Sequence, residues 1–190
     1  MSAAVAGQDG HLRCPWGLSA PEYVTYHDEE WGHPLRGDNA LFERLCLEAF
    51  QSGLSWLTIL RKRENFRAAF GGFDIATVAA FTEADRERLL HDPGIVRNRA
   101  KIDATLANAR AALELEEPLT DIIWRFAPPE QAAPKTLVDV PAVTKESTAL
   151  AKELKRRGFV FIGPTTAYAL MQACGLVNDH LVDCWVRERT

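Results

Sequence analysis

Four residues near the two ends of the chain have the chemistry of ligands for a soft metal ion. They are Cys14 and His27 near the start, and His180 and Cys184 near the finish. Zinc favours a tetrahedral set of thiolates and imidazoles, and four protein ligands leave no open position for a reacting water. The pattern therefore suggests a structural zinc site that ties the two ends of the chain together.

The spacing of these residues supports a metal site only in part. His180 and Cys184 are four positions apart, which places them one turn apart if the segment is helical. Cys14 and His27 are thirteen positions apart, which matches no standard zinc finger. The alternative is two buried thiols and two histidines in ordinary hydrogen bonds, and spacing alone leaves both interpretations open.

The length and composition of the chain indicate one compact unit. A chain of 190 residues can bury one good core, or two small lobes that share a cleft. Four cysteines do not make a secreted disulfide framework, and neither a signal peptide nor a stretch of roughly twenty apolar residues is evident. We therefore expect a single unit over residues 1–190, cytoplasmic and reduced, with no membrane contact.

The charge distribution carries a weak signal about partners. The net charge of −4 argues mildly against a protein that coats nucleic acid without specificity. Basic residues nevertheless gather in three short runs, at residues 61–63, 97–101 and 152–157. Each run can be a solvated helix face, or the three can converge into a stripe that binds phosphates.

Helical patterns dominate the rest of the sequence. No segment shows the sustained two-residue alternation that is typical of strands, so the fold should be all-α. Asp38, Ser55, Asp74 and Thr82 are plausible helix caps. The predicted helices cover residues 39–50, 56–66, two short stretches after Asp74 and Thr82, and then 95–115, 122–126, 145–157 and 165–174.

A basic helix end leads into a tight apolar turn between residues 155 and 163. It runs from Lys155 to Gly163 and is followed at once by a helix that contains Thr165. Such a segment resembles a helix-hairpin-helix, which presents backbone N–H groups and a helix N-terminus to a DNA phosphate. The usual motif has glycine where this chain has Phe161. An ordinary αα-corner is the alternative.

A family resemblance emerges when the hairpin is taken together with other segments. Residues 94–102 resemble the helix start that precedes the hairpin in helix-hairpin-helix DNA glycosylases. Over residues 11–185 the chain is similar to the 3-methyladenine DNA glycosylase I (Tag) family, in five segments: RCPW at 13–16, YHDEEWG at 26–32, GLSW at 53–56, KREN at 62–65 and MQACGLVNDH at 171–180. The resemblance implies two small helical lobes around a cleft, and a zinc ion on Cys14, His27, His180 and Cys184.

The resemblance also implies a substrate, 3-methyladenine in double-stranded DNA. Alkylation at N3 leaves adenine cationic and weakens its glycosidic bond, so the enzyme must chiefly extract and hold the base. Trp16 and Trp56 are then candidate stacking walls, since aromatic faces attract a cation; otherwise they are core tryptophans. Glu48, seven positions after Leu41, is a candidate acceptor for the base, or else the partner of an arginine. Tyr26 is carried over as a second contact.

Further roles follow from the same resemblance. Leu54 matches the wedge that fills the gap left by the flipped nucleotide. Gly163, Thr165 and Lys155 are expected at the DNA phosphates. Asp179 falls short of the spacing of the catalytic aspartate in many helix-hairpin-helix glycosylases and lies beside His180, so a structural role is expected for it.

We expect a monomeric enzyme. It should release the base without cutting the strand, because none of the residues that follow Gly163 (Pro164, Thr165, Thr166 and Ala167) has an amine that could form a Schiff base with the sugar. Two other classes of function remain open. One is a catalytically silent DNA-binding module, which would need neither Glu48 nor the tryptophans. The other is a zinc hydrolase, which would need an open coordination position.

Overall fold

The computed structural model describes residues 3–129 and 131–190. Within those residues, the only sheet is one antiparallel pair of two-residue strands, β1 (Val5–Ala6) and β2 (Leu12–Arg13). The prediction of a helical fold is therefore confirmed. The helices are α1 (Pro21–Glu29), α2 (Asp38–Gln51), α3 (Trp56–Ala69), α4 (Ile75–Ala79), α5 (Glu83–His91), α6 (Arg99–Leu113), α7 (Leu119–Trp124), α8 (Lys145–Arg156) and α9 (Pro164–Ala173).

Three of the predicted helix caps are confirmed. The Ser55 hydroxyl accepts a hydrogen bond from the Thr58 amide at 3.2 Å, and the Asp74 carboxylate accepts one from Thr77. Thr82 starts α5 with a capping box that it shares with the third residue of the helix. These side chains satisfy amide groups that have no partner within the helix.

Two predicted helix starts are wrong. The helix expected from residue 95 begins at Arg99, because the Asn98 side chain accepts a hydrogen bond from the Lys101 amide at 3.1 Å and acts as the cap. Asp38 is the first residue of α2 rather than its cap, and its carboxylate accepts hydrogen bonds from the amide and hydroxyl of Thr120. The cap position is Gly37, with φ of +98°.

Helix α2 forms the centre of the main hydrophobic core. It packs against α3, α6, α7 and α9, so nine of its residues are buried. Phenylalanine rings from α2 and α3 interlock beside it, with ring centroids of Phe50 and Phe66 4.7 Å apart. Two of the buried α2 residues are charged, Arg44 and Glu48, and burial of charge in such a position is costly without compensation.

A second, smaller hydrophobic cluster joins the two ends of the chain. It contains Cys14, Leu181, Cys184 and Val186, with Trp16 packed against it. The Trp185 amide also donates a hydrogen bond to the Leu12 carbonyl at 2.9 Å. The expectation that the terminal segments meet is thus confirmed.

Helices α8 and α9 pack against each other and are joined by a short turn, which we call the hairpin turn (residues 157–163). The apolar side chain of Phe159 anchors this turn in the core. Within the described part of the chain, no helix has the length and apolar character needed to cross a membrane.

Candidate active site and metal centre

A cavity of about 470 Å³ opens beside α2. Its walls are mainly aromatic and apolar, with a few polar groups that converge on the interior. Such a composition is typical of a binding site for a small planar molecule. The lining residues are Trp16, Tyr23, Tyr26, Trp31, Glu48, Gln51, Trp56, Leu137, Val140, Pro141, Ala142, Ala169, Gln172 and Asp179.

Glu48 contributes a buried carboxylate to this cavity. The residue is 6% exposed, and no described side chain or amide donates a hydrogen bond to its oxygens or pairs with it. Burial raises the pKa of Glu48 to about 7, while the positive charge of Arg44 partly opposes the shift. The carboxylate is therefore an acceptor without a donor, held at the wall of a cavity.

Arg44, one helical turn before Glu48, directs its guanidinium elsewhere. It donates to the Tyr26 hydroxyl at 2.9 Å and to the Glu30 carboxylate at 3.4 Å. Glu30 is also paired with Arg63. Among the described residues, Glu48 therefore forms no ion pair with an arginine, which was the alternative interpretation.

The predicted aromatic residues line one cavity. Trp16, Tyr26 and Trp56 all face it, with ring centroids 6.3 Å apart for Trp16 and Tyr26 and 5.4 Å for Tyr26 and Trp56. The Trp56 indole N–H is buried and has no partner among the described residues. Trp31 completes the wall, with its ring centroid 5.0 Å from that of Trp16. The sequence analysis gave this residue no role in the site.

Asp179 also faces this cavity. Its carboxylate accepts hydrogen bonds from the Tyr168 hydroxyl at 2.6 Å and the Gln172 amide at 2.9 Å. The imidazole of neighbouring His180 bonds instead to the Trp31 carbonyl at 2.9 Å. The Asp179 carboxylate is thus hydrogen-bonded to two side chains of α9, and it does not orient the adjacent histidine.

One wall of the cavity comes from the segment between α7 and α8. A short 3₁₀ turn, Leu137–Asp139, starts with a capping box on Thr136, and Leu137, Val140 and Pro141 face the cavity. No periodic pattern marks such a wall, because its residues meet the cavity only through tertiary packing.

The four predicted metal ligands come together beside the cavity. The potential ligand atoms of Cys14, His27, His180 and Cys184 all lie within 4.8 Å of one another, and all four residues are buried. The Cys184 sulfur is 3.5 Å from both His27 Nε2 and His180 Nδ1. Zn–S and Zn–N bonds of about 2.3 and 2.1 Å at a tetrahedral angle give an S···N distance of about 3.6 Å. The donor set therefore fits a tetrahedral metal ion.

The second nitrogen of each imidazole is held by the protein. His27 Nδ1 lies 2.8 Å from the Asp28 carboxylate, and His180 Nε2 lies 2.9 Å from the Trp31 carbonyl. Arg13 in turn donates to Asp28. Such partners fix the ring orientation and the tautomer of a ligating histidine.

The predicted wedge residue lies in an exposed turn, three positions after Gln51, which lines the cavity. Leu54 is 40% exposed, in the turn between α2 and α3, which we call the wedge turn (residues 51–55). Gly53 has φ of +78°, a left-handed conformation that favours glycine. The Leu54 amide donates to the Gln51 carbonyl at 2.7 Å, and Gln51 also lines the cavity.

Within the hairpin turn, Phe161 has a backbone conformation that favours glycine. Phe161, where the sequence analysis expected glycine in a helix-hairpin-helix, has φ of +64°, and this left-handed conformation costs a residue with a Cβ about 1–2 kcal/mol. Gly163 caps α9 and has no atom within 4 Å of the place of a Cβ. Thr165 and Lys155 are both exposed beside it.

Some side chains of the three basic runs make contacts within the protein. Arg61 pairs with Glu22, and Arg63 with Glu30. Lys101, in the second run, is buried and donates to backbone carbonyls. These three side chains are engaged within the protein, whereas Arg97 and Arg99 of the second run are exposed.

The third run is divided between inward and outward roles. Arg156 and Arg157 both pair with Glu153, and Arg157 also reaches Glu117 at 2.6 Å. Lys155 is exposed beside the hairpin turn. Lys155 is thus the member of this run best placed for a phosphate contact.

Comparisons with known proteins agree on one family. The family model described as methyladenine glycosylase matches residues 16–188. DNA-3-methyladenine glycosylase 1 of Escherichia coli (strain K12) is 51% identical over 177 residues, covering 90% of this chain and 95% of its own. A crystal structure of 3-methyladenine DNA glycosylase I has a TM-score of 0.88 at 49% identity, covering 91% of this chain and 98% of that chain. A Tyr-to-Phe variant of 3-methyladenine DNA glycosylase I in complex with 3-methyladenine has a TM-score of 0.87 at 37% identity, covering 92% and 97%.

Proposed function

Because this chain belongs to the methyladenine glycosylase family, we propose that it releases 3-methyladenine from alkylated double-stranded DNA. It is a base-excision repair glycosylase, a hydrolase of N-glycosyl bonds. The observation that carries the assignment is the buried, unpartnered Glu48 carboxylate in an aromatic cavity. A cavity that holds an acceptor without a donor is suited to a planar base that carries positive charge.

The cavity residues supply recognition of the base. Glu48 accepts a hydrogen bond from the alkylated base, and the positive charge of the base favours the ionised carboxylate. Tyr26, whose hydroxyl already accepts from Arg44, makes a second contact. Trp16 and Trp56 stack on the base and prefer a cation to neutral adenine. These four contacts form only after the base has left the helix and entered the cavity.

The reaction is a displacement at the sugar. Water adds to C1′ as the C1′–N bond breaks, the base departs as neutral 3-methyladenine, and the proton of the water passes to solvent. Because the substrate is cationic before the bond breaks, the leaving group needs no added proton. The protein therefore contributes chiefly by extracting and holding the base.

The exposed turns provide the DNA contacts in this proposal. Leu54 enters the duplex and fills the gap of the flipped nucleotide. The hairpin turn acts as a helix-hairpin-helix, in which the Gly163 amide, Thr165 and Lys155 contact phosphates. The open space around Gly163 supports close approach of a phosphate to the backbone. We propose that the protein acts on duplex DNA as a monomer. We also propose that it works in the cytoplasm, because its four cysteines are free thiols.

The metal in this proposal is one structural zinc ion on Cys14, His27, His180 and Cys184. Two thiols and two imidazoles suit zinc, and four protein ligands leave no place for a reacting water. The ion supplies stability rather than chemistry. The ion would hold two aromatic walls of the cavity in place through its histidine ligands. The ring centroids of Trp16 and His27 are 5.1 Å apart, and those of Trp31 and His180 are 4.7 Å apart.

The proposed activity is tested by incubating the protein with methylated duplex DNA and identifying the released base by chromatography. We expect release of 3-methyladenine with the strand left intact. DNA binding without base release would favour the silent DNA-binding module instead. Release that required a catalytic metal-bound water would favour the hydrolase.

A further inference from the structure

Helix α6 fastens both of the turns that the proposed function assigns to DNA. Its buried face carries three polar side chains, of which Lys101 and Asn108 reach other parts of the chain and Thr105 bonds within the helix. Lys101 and Asn108 are seven residues apart, so they lie on nearly the same side of the helix, about 10 Å apart along its axis. Lys101 points to the wedge turn, and Asn108 points to the hairpin turn.

Lys101 closes the end of α2. Its ammonium group donates to the carbonyl oxygens of Phe50 and Ser52 at 2.8 and 2.5 Å. Carbonyls at the end of a helix lack partners within the helix and carry partial negative charge, so a cation there is favourable. These two carbonyls flank Gln51, immediately before Gly53 and Leu54. The ammonium group thus fixes the backbone from which Leu54 projects.

Asn108 makes the equivalent contact with the hairpin turn. Its side-chain amide donates to the Val160 carbonyl at 3.1 Å, and its side-chain oxygen accepts from the Val160 amide at 2.8 Å. The residue is 1% exposed, whereas Val160 and Phe161 are largely exposed. A buried amide therefore grips the backbone of an exposed turn by both of its hydrogen-bonding groups, just before the left-handed Phe161.

The two turns are far apart in sequence but share this one support. Lys101 is 51 residues from Phe50, and Asn108 is 52 residues from Val160. Neither side chain lines the cavity. A rigid helix that binds both turns sets the distance between the wedge and the phosphate contacts, and small errors in position at such sites cost much of the rate.

We propose that Lys101 and Asn108 are positioning residues, through which α6 holds the wedge turn and the hairpin turn in the arrangement that a duplex requires. The proposal rests on the proposed function, because it takes Leu54 and the hairpin turn as the DNA contacts. Lys101 acts through backbone carbonyls, and it does not touch a phosphate.

The test compares binding of the free base with excision from DNA. In Lys101→Met and Asn108→Leu, we expect affinity for free 3-methyladenine to stay within about twofold, since the cavity is intact. Single-turnover release from methylated duplex should fall at least tenfold in each. Lys101→Arg, which keeps the donors, should recover most of the rate. Asn39→Leu and Lys145→Met are the matched controls, because Asn39 fastens the start of α4 instead and Lys145 is exposed.

Salt dependence separates positioning from phosphate contact. A lysine that binds a phosphate contributes about 0.9 to the slope of log affinity against log salt. We expect Lys101→Met to leave this slope unchanged, whereas Lys155→Met should reduce it. A reduced slope in Lys101→Met would overturn the proposal.

A combined variant tests whether Lys101 acts through the wedge. In a Leu54→Ala background, Lys101→Met should slow release by less than about twofold more, because the wedge is already absent. A full multiplicative loss would contradict the proposal, as would an unchanged rate in either folded single variant. If Lys101→Met does not fold, Lys101→Gln, which keeps one donor group, serves the same comparison.

Wedge insertion is also measured without catalysis. A duplex with a stable abasic analogue beside 2-aminopurine reports insertion through fluorescence, whether or not the protein releases a base. Lower fluorescence response in Lys101→Met and Asn108→Leu supports the proposal, and a wild-type response overturns it. Absence of 3-methyladenine release by the wild-type protein would instead refute the proposed function.

Discussion

Arg44 and Glu48 lie one turn apart on α2, yet the arginine gives its hydrogen bonds to Tyr26 and Glu30 and leaves the glutamate unpaired. A pair of opposite charges at this spacing on a helix usually interacts. Here Arg44 orients the Tyr26 hydroxyl while its charge still partly stabilises the ionised form of Glu48. The cavity thus keeps one carboxylate available for a ligand.

The Glu48→Gln variant should bind free 3-methyladenine more weakly at pH 8. Loss of a charge-assisted hydrogen bond typically costs about 1.5–3 kcal/mol, or roughly 10- to 150-fold in affinity. Excision should slow as well, with the fold intact by circular dichroism. Glu43→Gln on the same helix, where Glu43 pairs with Arg67 on the other side, is the control. Unchanged affinity in folded Glu48→Gln would leave Glu48 with a structural role only.

The stability of the protein should depend on pH through Glu48. Its pKa is raised from 4.5 to about 7 by burial, so the folded state favours the protonated form. The favourable contribution is complete below pH 4.5 and is lost as the pH rises through 7, by on the order of 3 kcal/mol. Urea unfolding should therefore show Glu48→Gln gaining stability over the wild type between pH 5 and pH 8. A difference that did not change with pH would contradict the burial of an unpaired carboxylate.

Replacement of Cys184 by serine should lower metal content and thermal stability together. A closed metal site contributes to folding directly, so a loss of several kcal/mol and about 10 °C in Tm is expected. Cys46→Ser is the matched control, because Cys46 is a buried thiol outside the metal cluster. It should lower stability through its own burial and keep the metal. Native stability in the Cys184→Ser variant, together with a wild-type protein that contains no metal and is fully folded, would refute the structural zinc site.

The enzyme should not cut the DNA strand. Glycosylases that cleave the backbone use an amine to form a Schiff base with the sugar. No lysine lines the cavity within the described chain, and Pro164 and Thr165 follow Gly163. Lys101, whose ammonium group approaches the wedge turn, is already bonded to two carbonyls. Borohydride treatment with methylated duplex should trap no adduct, and a denaturing gel should show scission only after alkali. A trapped protein–DNA adduct would refute this mechanism.

The sequence predicted the helices well where local chemistry decides their ends. Ser55, Asp74 and Thr82 each cap the helix that follows, since a short polar side chain can satisfy the first free amides. It failed at residues 95–98, because Asn98 stops the helical pattern that its apolar neighbours suggest. It also gave no sign of the two short strands.

The candidate site was predictable to the extent that a resemblance named its residues. Glu48 and the two tryptophans do lie at one cavity, and the four metal ligands do converge. Trp31 and Asp179 were within quoted segments but had no assigned place in the cavity, since their orientation depends on packing between distant elements. Lys101 was interpreted as part of a basic run, because a sequence does not show which lysine is buried.

The cluster of Cys14, His27, His180 and Cys184 joins segments from the two ends of the chain. The ligand atoms of His27 and Cys184 lie 3.5 Å apart although the two residues are 157 positions apart, so bringing them together closes nearly the whole chain into one loop. Synthesis starts at the N-terminus, and His180 and Cys184 emerge late. Trp16 and Trp31, which pack on the metal-site histidines, are therefore fixed only after that last step. In the proposed function, a chain whose ends had not yet met would therefore lack these two aromatic walls and the base recognition that depends on them.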